Sequence, residues 1–249
     1  MKHTSKILDY SLKYTTIATV LTAAAPLAAT FVDGILAGNL IGNPAFNAIN
    51  IVLPISNLVM VLTLICNMGG SVLAAKALGE GDRLRARKIF TFSFMSALIV
   101  AVAASAFIFL NRGWLYQDLC PDSGDLPFLK KYLDILIIYF LLYPFTTTLN
   151  NFISVEGYPS LTTKAVVVAN ASNILLDVVF IVCLHMGIAG AAWATVASGV
   201  INILMYVPHL MHGRSQYGIE RLFREDMRLA KPIFAQGFGF NVFYIMTNL

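Results

Sequence analysis

The sequence predicts an all-α polytopic membrane protein, with six complete transmembrane helices and the beginning of a seventh. Three observations carry that class. Of the 249 residues, 58% are hydrophobic and only 12% are charged, about half the charged share of a soluble domain. The apolar residues collect in stretches close to the roughly 20 residues needed to cross about 30 Å of hydrocarbon. The basic residues collect in alternate connecting segments, as the positive-inside rule requires of a multi-pass chain. Within such stretches a helix is the open-chain structure that satisfies its own backbone.

The first span is Thr15–Ala37. Lys2, Lys6 and Lys13 precede it, an arrangement that also suits a signal peptide. The apolar run, however, continues past any small-residue cleavage point to Ala37, so a first transmembrane helix is the better reading. The following spans are Ile51–Ala75, Ile89–Leu110, Tyr132–Ile153, Leu161–Leu184 and Ile188–Leu210. From Lys231 another apolar segment begins and has no polar flank before Leu249, which predicts a truncated seventh helix and a fragment of a longer protein.

The loops set the orientation. Lys76, Arg83, Arg85, Arg87 and Lys88 follow the second span, and Arg214, Arg221, Arg224, Arg228 and Lys231 follow the sixth. The alternate loops Asn39–Asn50, Asn111–Lys131 and His185–Gly187 hold only Arg112, Lys130 and Lys131, offset by Asp118, Asp122 and Asp125. The N-terminus is therefore expected in the cytoplasm. The net charge of +4 needs no nucleic acid, because its basic residues sit in these loops. Ile219–Ala230 alternates charge with Leu222, Phe223, Met227 and Leu229, the pattern of a short amphipathic helix on the cytoplasmic surface, or else of a solvated linker. Cys66, Cys120 and Cys183 are too scattered for a disulfide framework.

Function is signalled by two aspartates inside apolar spans, Asp33 and Asp177. A carboxylate at such depth costs several kcal/mol, about 2.5–3.5 on insertion scales, and marks ion pathways, proton relays or counter-charges. Asp33 lies about 6 Å from the outer end of its span, and Asp177 and Thr195 lie about 10 Å deep in theirs, at 1.5 Å per residue. Asn173 stands one turn before Asp177 on the same helix face, with Asn170 a turn further back. Thr195, Ser198 and Asn202 make a matching stripe on span six. If spans one, five and six pack together, Asp33, Asn173, Asp177 and Thr195 form one oxygen-rich cluster, able to hold a proton or a hard cation such as sodium. The alternative for such polar groups is interhelical glue, and it is preferred for Asn170, Ser198 and Asn202.

Weaker features follow. Tyr139, Tyr143, Thr147 and Asn150 line one face of span four beside Pro144, and Asn57, Asn67 and Ser71 lie on span two. They are candidates to line a substrate cavity, with packing as an equal alternative. Gly34, Gly38 and Gly42 have GxxxG spacing, and Pro26 is expected to bend span one. His209 and His212 read as interfacial, without an acidic or cysteine partner. No nucleophile elbow, HExxH or phosphate loop is present, so nothing supports an enzyme.

Several ordered blocks resemble the multidrug and toxic compound extrusion (MATE) family. They are PLAATFVDGILAGNLIG from Pro26, GGSVLAAKALGEGD from Gly69, FISVEGYPS from Phe152, NILLD from Asn173, and MGIAGAAWATVAS from Met186. The resemblance implies a fold of two six-helix lobes. Residues 1–14 are then a cytoplasmic arm, 15–212 a six-helix N-terminal lobe, 213–230 the cytoplasmic linker and 231–249 the start of a second lobe. It implies a plasma-membrane exporter of drugs or amphipathic metabolites, driven by inward proton or sodium flow through alternating access, with no cofactor beyond that coupling ion. The small-molecule substrate, the lipid bilayer and a C-terminal lobe are the partners implied. The family's N-lobe cation site falls on Asp33, Asn173, Asp177 and Thr195, and all four types match. Rival readings are a flippase for lipid-linked sugars of the same wider fold, which would want arginines inside the spans, a major facilitator transporter, whose loop motif fits poorly at Gly79–Lys88, and a non-transporting membrane scaffold.

Overall fold

A computed structural model of the protein describes residues 16, 20–22, 24–119, 124–212 and 215–248, with the side chains of all but 240 and 242–248. The arm 1–14, Thr15, Cys120, Asp122, Arg214 and Leu249 lie outside the described residues. The described chain is helical, and among its helices six are long and apolar enough to cross a membrane.

Helix α1 (Val20–Ile41) closes in a π-helical turn, Ala37–Ile41. The expected loop Asn39–Asn50 is absent, because α2 (Asn43–Gly79) begins at once. Gly42 reverses the chain alone, at a φ of +116° that a glycine adopts without a Cβ clash, and Pro44 sits in the first turn of α2, where its missing N–H costs nothing. Gly34 and Gly38 let α1 lie against the Phe46 ring; a Cβ on either would stand 3.4–3.8 Å from it.

Helix α3 (Arg83–Leu119) has 37 residues, about 55 Å at 1.5 Å per residue, and overruns the hydrocarbon thickness. It continues well past Leu110, where hydropathy placed its end. Polar ties add to the packing of Leu115 and Tyr116 there. Tyr116 donates to Asp134 at 2.8 Å, Arg112 pairs with Asp134 at 3.6 Å, and Lys130 lies over the Tyr116 ring. Helix α4 (Leu126–Val155) follows, then α5 (Pro159–Asp177), which passes directly into a π-helical segment, Val178–Cys183. Helix α6 (Ile188–Met211) starts a tight turn later.

Helices α2 and α4 organise the bundle: α2 packs on α3, α4 and α7, α4 also on α6, and α6 on α5. The central core joins Ile49 and Val52 of α2 to Leu133 and Phe140 of α4 and Ile188 of α6. Within their most apolar windows α6 has 56% of its residues buried and α1 only 18%, so α6 is an interior helix and α1 a peripheral one.

The linker departs from expectation. Its helix is only a six-residue 3-10 turn, Arg224–Leu229, before α7 (Ala230–Asn248). The preceding N–H groups are captured by the lobe instead of by their own carbonyls. Gln216 donates to Glu156, and Glu220 donates its N–H to Thr91 Oγ1 at 2.9 Å. Tyr217 is buried among Phe90 and Phe152. Burial and the nearby Glu156 carboxylate push its phenol well above the usual tyrosine range. Helix α7 then crosses α2 backbone to backbone. A Cβ on Gly69 would fall 1.9 Å from the Ile233 carbonyl oxygen, and one on Gly237 1.9 Å from that of Ile65.

Candidate ion-coupling site

The two aspartates meet. Asp33 of α1 and Asp177 at the end of α5 bring their carboxyl groups within hydrogen-bonding range of each other. Asp177 is fully buried. Neither of its oxygens, nor Oδ1 of Asp33, has a hydrogen-bond donor among the described residues. Ionised carboxylates only accept hydrogen bonds, so two of them in contact have nothing to offer each other. Each is followed toward the chain's next turn by a π-helical segment, an irregularity that recurs at functional positions in helices.

Asn173 is buried one turn before Asp177, and its amide nitrogen also lacks a partner. Thr195 donates its hydroxyl to the Ala191 carbonyl at 3.1 Å, which leaves its lone pairs facing outward from that bond. Neither residue hydrogen-bonds the carboxylates. Asn170 and Ser198 bond their own helix backbones, at Val166 and Thr195, so they do not bridge helices. Asn202 is buried with its carbonyl oxygen unpartnered.

One neighbour was not legible as a site residue. Tyr132, in the first turns of α4, is buried within electrostatic reach of both Asp33 and Asp177. A tyrosine near a span's end reads as an interfacial anchor, and only the α4 packing brings it to the pair.

The cavity candidates fare differently. Asn67 is fully buried, donating to Thr147 Oγ1 at 2.9 Å and accepting from Thr148 Oγ1 at 2.8 Å. It joins α2 to α4, the packing role that was the alternative to lining a cavity. Asn150 accepts from the Tyr206 hydroxyl and joins α4 to α6. Tyr139 lies against Gly199, where a Cβ would be 3.1 Å from its ring, and stacks obliquely on Tyr143 at 5.9 Å.

The expectation that His209 has no acidic partner is also corrected. Its Nε2 lies 3.2 Å from Oε2 of Glu156, whose side chain is fully buried. Glu156 accepts in addition from Ser215 Oγ at 3.2 Å and from the Gln216 N–H. The partners are 53 and about 60 residues apart, so spacing along the chain does not reveal them.

Six helices long and apolar enough to cross a membrane define a multi-pass membrane protein. The MatE family model matches residues 9–179, and the chain belongs to that family. It is 26% identical over 164 residues to the multidrug export protein MepA of Staphylococcus haemolyticus, a match covering 65% of this chain and 36% of that protein. It superposes on a crystal structure of MATE in the bent conformation with a TM-score of 0.79 at 21% identity, over 89% of this chain and 50% of that one. An inward-facing MATE family transporter gives 0.76 at 23% identity, covering 88% and 48%. The chain thus spans about a third of the curated relative's length and half of the solved ones.

Proposed function

We propose that the chain works as one lobe of a cation-coupled antiporter that exports drugs or amphipathic metabolites by alternating access. The observation that carries this reading is the contact of Asp33 with the buried Asp177, neither of whose oxygens has a donor among the described residues. Two like charges in a low-dielectric interior repel strongly, so a shared proton or a sodium ion is needed to complete the pair. Asn173 and Thr195 supply further oxygens of the kind a hard cation takes. Tyr132 adds a hydroxyl beside the site. Filling and emptying the pair changes which packing of α1 against α5 is favoured, and α1 is the least buried of the six membrane-length helices among the described residues.

A second lobe, whether from further chain or from a second copy, is needed to face this one across a substrate path. The basic residues at the α2–α3 turn and in the linker share one end of the bundle, joined by the Arg87–Glu220 and Lys88–Asp226 pairs. That supports a cytoplasmic N-terminus in the plasma membrane, with the aspartates toward the outer face. Efflux of a fluorescent cationic dye from cells expressing the two-lobe assembly tests the proposal. Loss of efflux in the Asp33→Asn/Asp177→Asn double variant is expected, and wild-type efflux in that variant would overturn the coupling role.

A further inference from the structure

The linker and the adjacent first turn of α3 expose large apolar side chains beside arginines that pair with no carboxylate, and Phe223 stays largely exposed even with Lys88 over its ring, 5.6 Å from the centroid. Phe223 is 59% exposed, Met227 61%, and Leu84 on the adjacent first turn of α3 57%. Arg224, Arg228 and Arg83 form no ion pair among the described residues, and Arg221 lies only over the Phe223 ring, 5.9 Å from its centroid. Glu225 and Asp82 are the exposed carboxylates beside them that form no ion pair among the described residues, Asp82 accepting only the Arg85 N–H, since Asp226 is bound to Lys88 and Glu220 to Arg87, so the four arginines outnumber them two to one.

The depth of this face is fixed. Lys88 holds Asp226 at 3.0 Å, Arg87 holds Glu220 at 3.2 Å, and Thr91 takes the Glu220 N–H at 2.9 Å. All three anchors lie in the first turns of α3, where charge gives way to the apolar span. One or two helical turns amount to about 5–10 Å, the thickness of a headgroup layer beyond the hydrocarbon. The linker is therefore held at headgroup level, where exposed aromatic and thioether side chains meet acyl chains and guanidinium groups meet phosphates. The basic excess makes the complementary surface an anionic one. Each basic residue near an anionic leaflet favours binding by about fivefold.

We propose that the face formed by Arg221, Phe223, Arg224, Met227 and Arg228 is a binding surface for anionic phospholipid, which seats the interlobe linker on the membrane. The apolar pair enters the headgroup–acyl boundary, and the arginines hold lipid phosphates. The occupant is lipid and not a second lobe.

The test replaces Phe223 with the photocrosslinker p-benzoylphenylalanine in the full chain, in bacterial membranes containing phosphatidylglycerol and phosphatidylethanolamine. Mass spectrometry of the adducts is expected to show phospholipid, with phosphatidylglycerol over-represented against its share of the membrane. Arg221→Gln/Arg224→Gln/Arg228→Gln should abolish that over-representation, bringing the adducts to the membrane's own composition, while Arg112→Gln at the other end of α3 leaves it unchanged. Unchanged helicity of the purified triple variant checks that folding is undisturbed. Adducts with polypeptide would mean that protein covers the face and would overturn the proposal. So would phospholipid adducts that mirror bulk composition, or that the triple variant leaves unaltered.

Discussion

Two buried acids sit at opposite ends of the same lobe and have opposite surroundings. Glu156, at the α4–α5 turn, accepts from Ser215 and the Gln216 N–H and lies against His209. Asp177, at the far end of α5, faces another carboxylate and no donor among the described residues. A buried carboxylate with its donors in place is a joint, and here it fastens the linker to α4 and α6. A buried carboxylate without donors is half of an interaction, completed only by something that comes and goes. The contrast separates what holds this lobe together from what makes it responsive.

The contrast can be broken at the joint first. Glu156→Ala leaves several buried donors unsatisfied and is expected to cost about 3–5 kcal/mol, read as a large fall in melting temperature of the detergent-solubilised chain. An unchanged melting temperature would mean that the linker is held by something else. Gly69→Ala probes the same end sterically. Its methyl would fall on the Ile233 carbonyl, so α7 must move, at a cost of about 1–3 kcal/mol, with faster proteolysis of the linker as a second readout. At the opposite end the sign reverses. Asp177→Asn gives Asp33 an amide donor and removes the repulsion, so in sodium-free buffer at neutral pH it should stabilise the chain by about 1 kcal/mol while abolishing transport. A destabilised Asp177→Asn would place that residue with the joints.

The smallest effect concerns the linker's outer tie. The Phe223 N–H and, after it, Lys88 hold the Asp226 carboxyl below the usual carboxylate range. A depressed carboxylate contributes its stability in full above its unfolded value, near 4, and loses it as pH falls through the lower folded value. Linker proteolysis should therefore be flat from pH 8 to 5 and rise only in more acidic buffer. Asp226→Asn should show the raised rate at every pH.

Much of this was legible in sequence, for identifiable reasons. Crossing a bilayer demands some 20 apolar residues, so the six spans stand out, and a charge among them is costly enough that Asp33 and Asp177 announce themselves. Helix ends were less legible because they obey other rules. Gly42 ends α1 by one backbone angle, and Tyr116 and Arg112 prolong α3 by holding Asp134, neither of which hydropathy registers. Residues defined by distant contacts were not legible at all. Tyr132 reaches the carboxylates only through the packing of α4, and the Glu156–His209 pair joins positions 53 apart. Asn67 was legible only as an alternative, because an amide in a span reads alike whether it lines a cavity or bridges helices, as it does here to Thr147 and Thr148.

The central claim is that Asp33 and Asp177 form a pair completed by a cation. The most direct measurement is the melting temperature of the purified chain as sodium is added at constant ionic strength and, separately, as pH is lowered from 8 to 6. A rise with at least one of these ions is predicted in the wild type, with no rise in Asp33→Asn/Asp177→Asn. A wild-type chain indifferent to both ions, or a double variant that responds as the wild type does, would contradict it.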